Sequence, residues 1–135
     1  MAVEGLIVRA SRHGVAATID KLVAALTARG VGVFARIDHA AGAKSAGMTL
    51  RPTELIIFGN PRAGTPLMQA AQSMGIDLPL KALAWEDEAG KAWLGYNDIR
   101  WLAARHGLGE RAGPAVEALA GFLEGLAAEA LDSNG

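Results

Sequence analysis

At 135 residues, with 51% hydrophobic and 20% charged side chains, the chain is long enough for one domain that buries about two-thirds of its unfolded surface, and its composition is far from that of a disordered segment. Thirteen basic against fourteen acidic residues leave a formal net charge of −1, so no global field draws it to nucleic acid or to an anionic membrane. The absence of cysteine excludes disulfide frameworks, thiol nucleophiles and thiolate metal sites.

Residues 3 to 9 read as a first strand. Glu4 and the short apolar run after it do not suit a signal peptide, and no stretch reaches the roughly 20 apolar residues of a membrane span, so a soluble cytoplasmic protein is expected. Val15, Ile19, Leu22, Val23 and Leu26 recur at helical spacing, with Gly30 as a stop. From Val31 the period becomes two: Val31, Val33, Ala35 and Ile37 point one way, while Phe34, Arg36 and Asp38 point the other. This second strand ends at Asp38-His39. Residues 40 to 52 are small and mixed, with room for one or two helical turns.

Leu55 to Phe58 run without a polar interruption, which predicts a central strand covered on both faces. A loop follows from Gly59, then a short helix from Pro66 to Ser73 with Thr65 as its N-cap and Gly75 as its end. Leu80 to Glu86 alternates, with Leu83 and Trp85 on one face; Asp87 to Gly90 is a turn, and Lys91 to Tyr96 completes a hairpin that places Trp93 near Trp85 or one position off. Asn97-Asp98 caps a helical turn through His106, and Gly107 to Gly113 links it to a last helix from Pro114 to about residue 130, striped by Val116, Leu119, Phe122, Leu123 and Leu126. From Asp132 the end is expected to fray. Gly121 and Gly125 each cost this helix about 1 kcal/mol relative to Ala, which predicts close approach of another backbone as compensation. The whole chain, 1 to 135, reads as a single domain.

Gly59-Asn-Pro-Arg-Ala-Gly64-Thr65 has the two-glycine spacing of a phosphate loop, but Thr stands where the lysine should be, and Pro61 and Pro66 remove two backbone donors. What remains is a weaker anion site built from Asn60, Arg62, Gly64, Thr65 and the helix start; the plainer reading is a corner held by Asn60 and capped by Thr65. Asp38-His39 is the second candidate, as a carboxylate beside an imidazole, although neighbours on a strand point to opposite faces. His13 and His106 sit near helix ends and are expected to bond free backbone groups. No His-x-x-x-His or Glu-x-x-His element supports a metal site. Without a Gly-x-Ser-x-Gly elbow, and with no local partner for the serines at 11, 45, 73 and 133, a serine hydrolase is not expected. Glu86, Asp87 and Glu88 read as a solvated hairpin tip, while Trp85, Trp93, Trp101 and Tyr96 could wall a pocket, form core or meet a partner subunit.

Ile37-Asp38-His39-Ala40-Ala41-Gly42-Ala43, Leu50-Arg51-Pro52-Thr53-Glu54-Leu55, Phe58-Gly59-Asn60-Pro61 with Gly64-Thr65-Pro66-Leu67-Met68, and Asp77-Leu78-Pro79-Leu80 together resemble domain-of-unknown-function family 302, over about residues 3 to 106. The resemblance implies a single α+β domain of β-α-β4-α arrangement, similar to TATA-binding-protein-like folds, with a mainly antiparallel sheet, helices on one face and a homodimeric state. It carries over Asp38, His39, Glu54, Asn60, Pro61, Gly64 and Thr65 as the positions of interest; it does not imply an activity, and it leaves any cofactor unknown. The expected function is a homodimer that binds a small polar or anionic ligand at Asn60, Arg62, Gly64 and Thr65, with His39 lining the same pocket if the two strand ends lie on one edge of the sheet. The alternatives are an enzyme with His39 as general base, oriented by Asp38 or Glu54, and a pure interaction or assembly module.

Overall fold

In the computed structural model, which describes residues 2–132, the chain runs β1 (Leu6–Ser11), α1 (Val15–Ala28), β2 (Gly32–Asp38), α2 (His39–Ser45), β3 (Thr53–Gly59), α3 (Pro61–Ala70), a 3-10 helix (Gln72–Ile76), β4 (Leu80–Glu86), β5 (Ala92–Asn97), α4 (Ile99–Arg105) and α5 (Gly113–Asp132). The β-α-β4-α skeleton expected from the resemblance is present, with α2 and α3 inserted between strands and α4 leading into α5. The strands form one sheet in the order β1-β5-β4-β3-β2, every neighbour antiparallel.

Alternation sets which face is core. Ile56 stands opposite Ala82, which stands opposite Tyr96, and Phe58 stands opposite Leu80; all are buried, and all point to the face that α1 and α5 cover. Ile19 and Leu26 of α1 are completely buried there, and the Phe58 and Phe122 rings meet edge-on at 6.5 Å. Each such large side chain contributes about 1.5–3 kcal/mol by leaving water. On the other face Leu55, Ile57 and Leu83 stay half-exposed, and Val8 and Ile37 are exposed. The apolar run in β3 therefore does not mark a strand covered on both faces, and β4 is the central strand. The continuous run reflects cross-strand apolar neighbours on the face turned away from α1 and α5.

Several local expectations are corrected. A bulge between Val33 and Ala35 makes Phe34 an extra residue, so Val33 stands opposite Phe58 while Ala35 stands opposite Ile57, and the two do not share a face. Helix α3 begins at Pro61 with Asn60 as its N-cap; Thr65 is four residues inside it and Pro66 lies within the helix. The Asn60 carboxamide oxygen accepts from the Arg62 N–H at 2.9 Å, and proline at the first helical position needs no donor, so this earlier start satisfies more of the helix end than one at Thr65. A Cβ at Gly121 or Gly125 would meet nothing within 4 Å, so no backbone approach compensates for either among the described residues. Asp132 closes α5, and Ser133 to Gly135 lie outside the described residues.

The aromatic residues separate. Trp85 stands opposite Trp93 on the face turned away from α1 and α5 and lies over Gly95, where a Cβ would come within 2.9 Å of the indole. Trp101 of α4 covers Gly5, whose φ of +76 and whose Cβ position 2.4 Å from the ring both call for glycine. Tyr96 is on the buried face.

Candidate functional site

Where α3 leaves β3 and leans toward α5, a cleft of about 600 Å³ opens. Its walls are apolar: Met68 from α3, Leu78 and Pro79 before β4, and Leu119 and Phe122 from α5. Asn60, Arg62, Gly64 and Thr65 all line it. Arg62 and Thr65 are exposed and form its polar rim. The Arg62 guanidinium makes no hydrogen bond or ion pair among the described residues. It stands at the N-terminal end of α3, where the helix dipole disfavours a cation, so two positive features converge on one mouth. Gly64 is packed from behind by Leu78, at ordinary van der Waals distance from where a Cβ would stand.

The other candidates lie elsewhere. Gly32 is opposite Gly59 and Asp38 is opposite Glu54, so His39 and the cleft loop are at opposite ends of the β2–β3 ladder, about 20 Å apart at 3.4 Å per residue. None of Asp38, His39 and Glu54 lines the cleft. The Asp38 carboxylate accepts from the Ala41 N–H at 2.9 Å as the N-cap of α2. Glu54 is buried and accepts from Arg36 Nε at 2.8 Å, while Arg36 also reaches Asp20 at 2.6 Å. The hydrogen bond to Asp20, then that to Glu54, raises the Arg36 pKa further, and the guanidinium is a fixed cation. The His39 ring is exposed and makes no hydrogen bond among the described residues. Among the described residues no group of three or more His, Asp or Glu is placed to hold a metal ion.

One constellation escaped the sequence reading. Ser73 Oγ lies 2.8 Å from His106 Nδ1, and His106 Nε2 lies 2.5 Å from Asp77 Oδ2. Both Asp77 oxygens also accept from one Arg105 nitrogen, at 2.9 and 2.8 Å. Ser73 therefore has a partner, 33 residues away in the chain. Burial pushes the Asp77 carboxyl up, but the His106 hydrogen bond and the Arg105 charge outweigh it and hold its pKa below the ordinary 3.8. His106 bonds side chains rather than the backbone groups expected for it. The sequence signal was slight: Ser73 and Asp77 four residues apart, and a histidine closing a helix.

The family described as "Domain of unknown function DUF302" matches residues 7–126. The chain belongs to that family. The match runs beyond residue 106 and takes in most of α5, so the helix that closes the cleft is part of the DUF302 domain. The chain is similar to two Brucella proteins named "Fluoride-specific ion channel FluC 1": it is 55% identical over 115 residues to that of Brucella suis biovar 1, spanning 85% of this chain and 45% of the relative, and 55% identical over 115 residues to that of Brucella abortus biovar 1, spanning 85% and 43%. The chain thus covers less than half the length of these curated relatives. The crystal structure of an uncharacterized conserved DUF302 protein from Bacillus stearothermophilus superposes with a TM-score of 0.72 at 21% identity, over 96% of this chain and 98% of that one, which establishes the shared fold.

Proposed function

We propose that this DUF302 domain is a ligand-binding homodimer whose α3–α5 cleft takes a small molecule with an apolar body and an anionic head. The observation that carries this reading is the pairing, in one cleft of about 600 Å³, of apolar walls with a rim arginine that has no partner among the described residues. That volume suits a small organic ligand, and apolar walls with few polar groups are the usual make-up of such sites. The polar or anionic ligand expected from the sequence becomes an amphipathic one, because Met68, Leu78, Leu119 and Phe122 offer no hydrogen-bonding group to a wholly polar molecule. Arg62 supports the carboxylate or phosphate end through its planar donors, and Thr65 adds a hydroxyl.

No helix of the described residues is long and apolar enough to cross a membrane. We assign the channel activity named for the Brucella relatives to the part of those proteins that this chain does not match, and the reading keeps the cytoplasmic location expected from the sequence.

The test is a thermal-shift comparison of medium-chain carboxylates with their matching alcohols. Carboxylates should stabilise more than alcohols, Arg62→Ala should erase that difference, and Ala118→Trp, which fills the cleft from an exposed position on α5, should abolish both shifts. Equal carboxylate preference in Arg62→Ala removes the anion-holding role, and shifts that survive Ala118→Trp move the ligand out of the cleft.

A further inference from the structure

We propose that Ser73, His106 and Asp77 form an acyl-transfer site that cleaves small carboxylic esters, separate from the ligand cleft. The 3-10 helix carries Ser73, Asp77 follows it directly, and His106 closes α4; packing of the 3-10 segment against the end of α4 brings them together. An ionised carboxylate only accepts, so the 2.5 Å contact puts the imidazole proton on Nε2. The Nδ1 lone pair then faces Ser73 Oγ at 2.8 Å and accepts its proton. Nucleophile, base and a third group that orients the base are thus all within hydrogen-bonding reach, which is the geometric signature of an activated serine. The ring presents Nδ1 rather than Nε2 to the hydroxyl; the chemistry requires only that one nitrogen hold the proton toward the carboxylate while the other faces the nucleophile. Arg105 donates to both Asp77 oxygens, including the Oδ2 that His106 contacts. The His106 side chain is 7% exposed, whereas Ser73 is open to solvent, so the base is sheltered and the nucleophile is reachable.

The step balances on these groups. Ser73 Oγ bonds to the ester carbonyl carbon as its proton passes to His106 Nδ1. The carbon–alkoxy bond breaks, and the leaving alkoxide takes that proton and departs as an alcohol. Water then gives a proton to Nδ1 and its hydroxyl to the acyl carbon, the Oγ–carbon bond breaks, and Oγ recovers the proton as the carboxylic acid leaves. In a 3-10 helix residues three apart eclipse, which sets Ile76, 75% exposed, alongside Ser73 as the contact for the acyl group. Because Ser73 does not line the α3–α5 cleft, the fit is to short acyl chains presented from solvent. Ser73 and His106 are the catalytic residues, and Asp77 positions the base.

A fluorophosphonate probe on the full chain, with the modified serine mapped by mass spectrometry, tests this directly. Labelling is expected at Ser73 at least tenfold faster than at Ser45, whose hydroxyl donates only to the Gly42 carbonyl, and Asp77→Asn should lower it and alter its pH profile. Because the chain contains no cysteine, Ser73→Cys and Ser45→Cys give single-thiol proteins that do not depend on replacing the buried histidine. The Ser73→Cys thiol should be alkylated by iodoacetamide at least tenfold faster than the Ser45→Cys thiol near neutral pH. Ser73 labelling no faster than Ser45 labelling, or two thiols with the same rate and pH profile, overturns the proposal.

Discussion

Asp77 shows how much one side chain can hold together here. It joins the segment before β4 to the end of α4 through both His106 and Arg105. Its pKa is lower in the folded state than its ordinary 3.8, so its contribution to stability is complete above 3.8 and is lost as pH falls through the depressed folded value. Wild type should therefore melt above Asp77→Asn at neutral pH, and the gap should close as the melts are repeated below pH 3.8. A gap that persists unchanged into acid means that the carboxylate charge is not what holds the segment. None of this was legible in the sequence. Asp77 stood inside a family block and His106 near a helix end, but which side chain faces the imidazole is set by how the 3-10 segment lands on α4. Asp38, by contrast, was recognised as a residue of interest, and only the backbone geometry shows its carboxylate engaged as the cap of α2.

At the scale of elements, α3 and α5 each carry a prediction. Since Asn60 caps α3, Asn60→Ala should cost about 1 kcal/mol in chemical denaturation, while Thr65→Ala, an exposed position inside the helix, should stay within about 0.5 kcal/mol. The reverse ranking would restore the cap to Thr65. The expected start is Thr65-Pro66, but Asn60-Pro61 has the same pattern of a capping side chain before a proline, and local propensity alone does not choose between them. In α5 the open space at Gly121 and Gly125 predicts that each Gly→Ala change raises unfolding stability by about 0.5–1 kcal/mol. Destabilisation, or loss of a dimer, would show that a second copy approaches the helix at those glycines. The strands were read with more success, because their signals are local: β4 and β5 follow from alternation, and β3 from an apolar run whose position was right although its two-sided cover was not. The bulge in β2 was not visible, since one added residue leaves composition unchanged and only flips the faces.

For the whole molecule, the sheet has one face packed by helices and one that presents Leu55, Ile57 and Leu83 with the exposed Ile37 and Val8. Five strands about 4.8 Å apart and some six residues long present a footprint of roughly 500 Å², so two such faces would bury roughly 1,000 Å² in all, near the lower limit for a specific interface. We take this face as the surface of the proposed homodimer. Leu55→Lys with Ile37→Lys should convert a dimer to a monomer in sedimentation velocity without lowering helix content; an unchanged sedimentation coefficient assigns the contact elsewhere.

Composition and periodicity by themselves determined one domain of mixed strands and helices without thiol chemistry, and the loop at residues 59 to 66 as the stretch most worth examining, because each of these depends on neighbours within a few residues; the α+β arrangement was what the family resemblance implied. Tertiary structure alone decided the rest. It closed the cleft with α5, a helix whose apolar stripe reads the same whether it lines a pocket or fills a core. It set His39 at the far end of the β2–β3 ladder from that cleft, and it carried Ser73 to a histidine 33 residues away. Hydrogen bonds between side chains of different elements depend on how those elements pack, and packing is settled by the whole core rather than by any window of sequence.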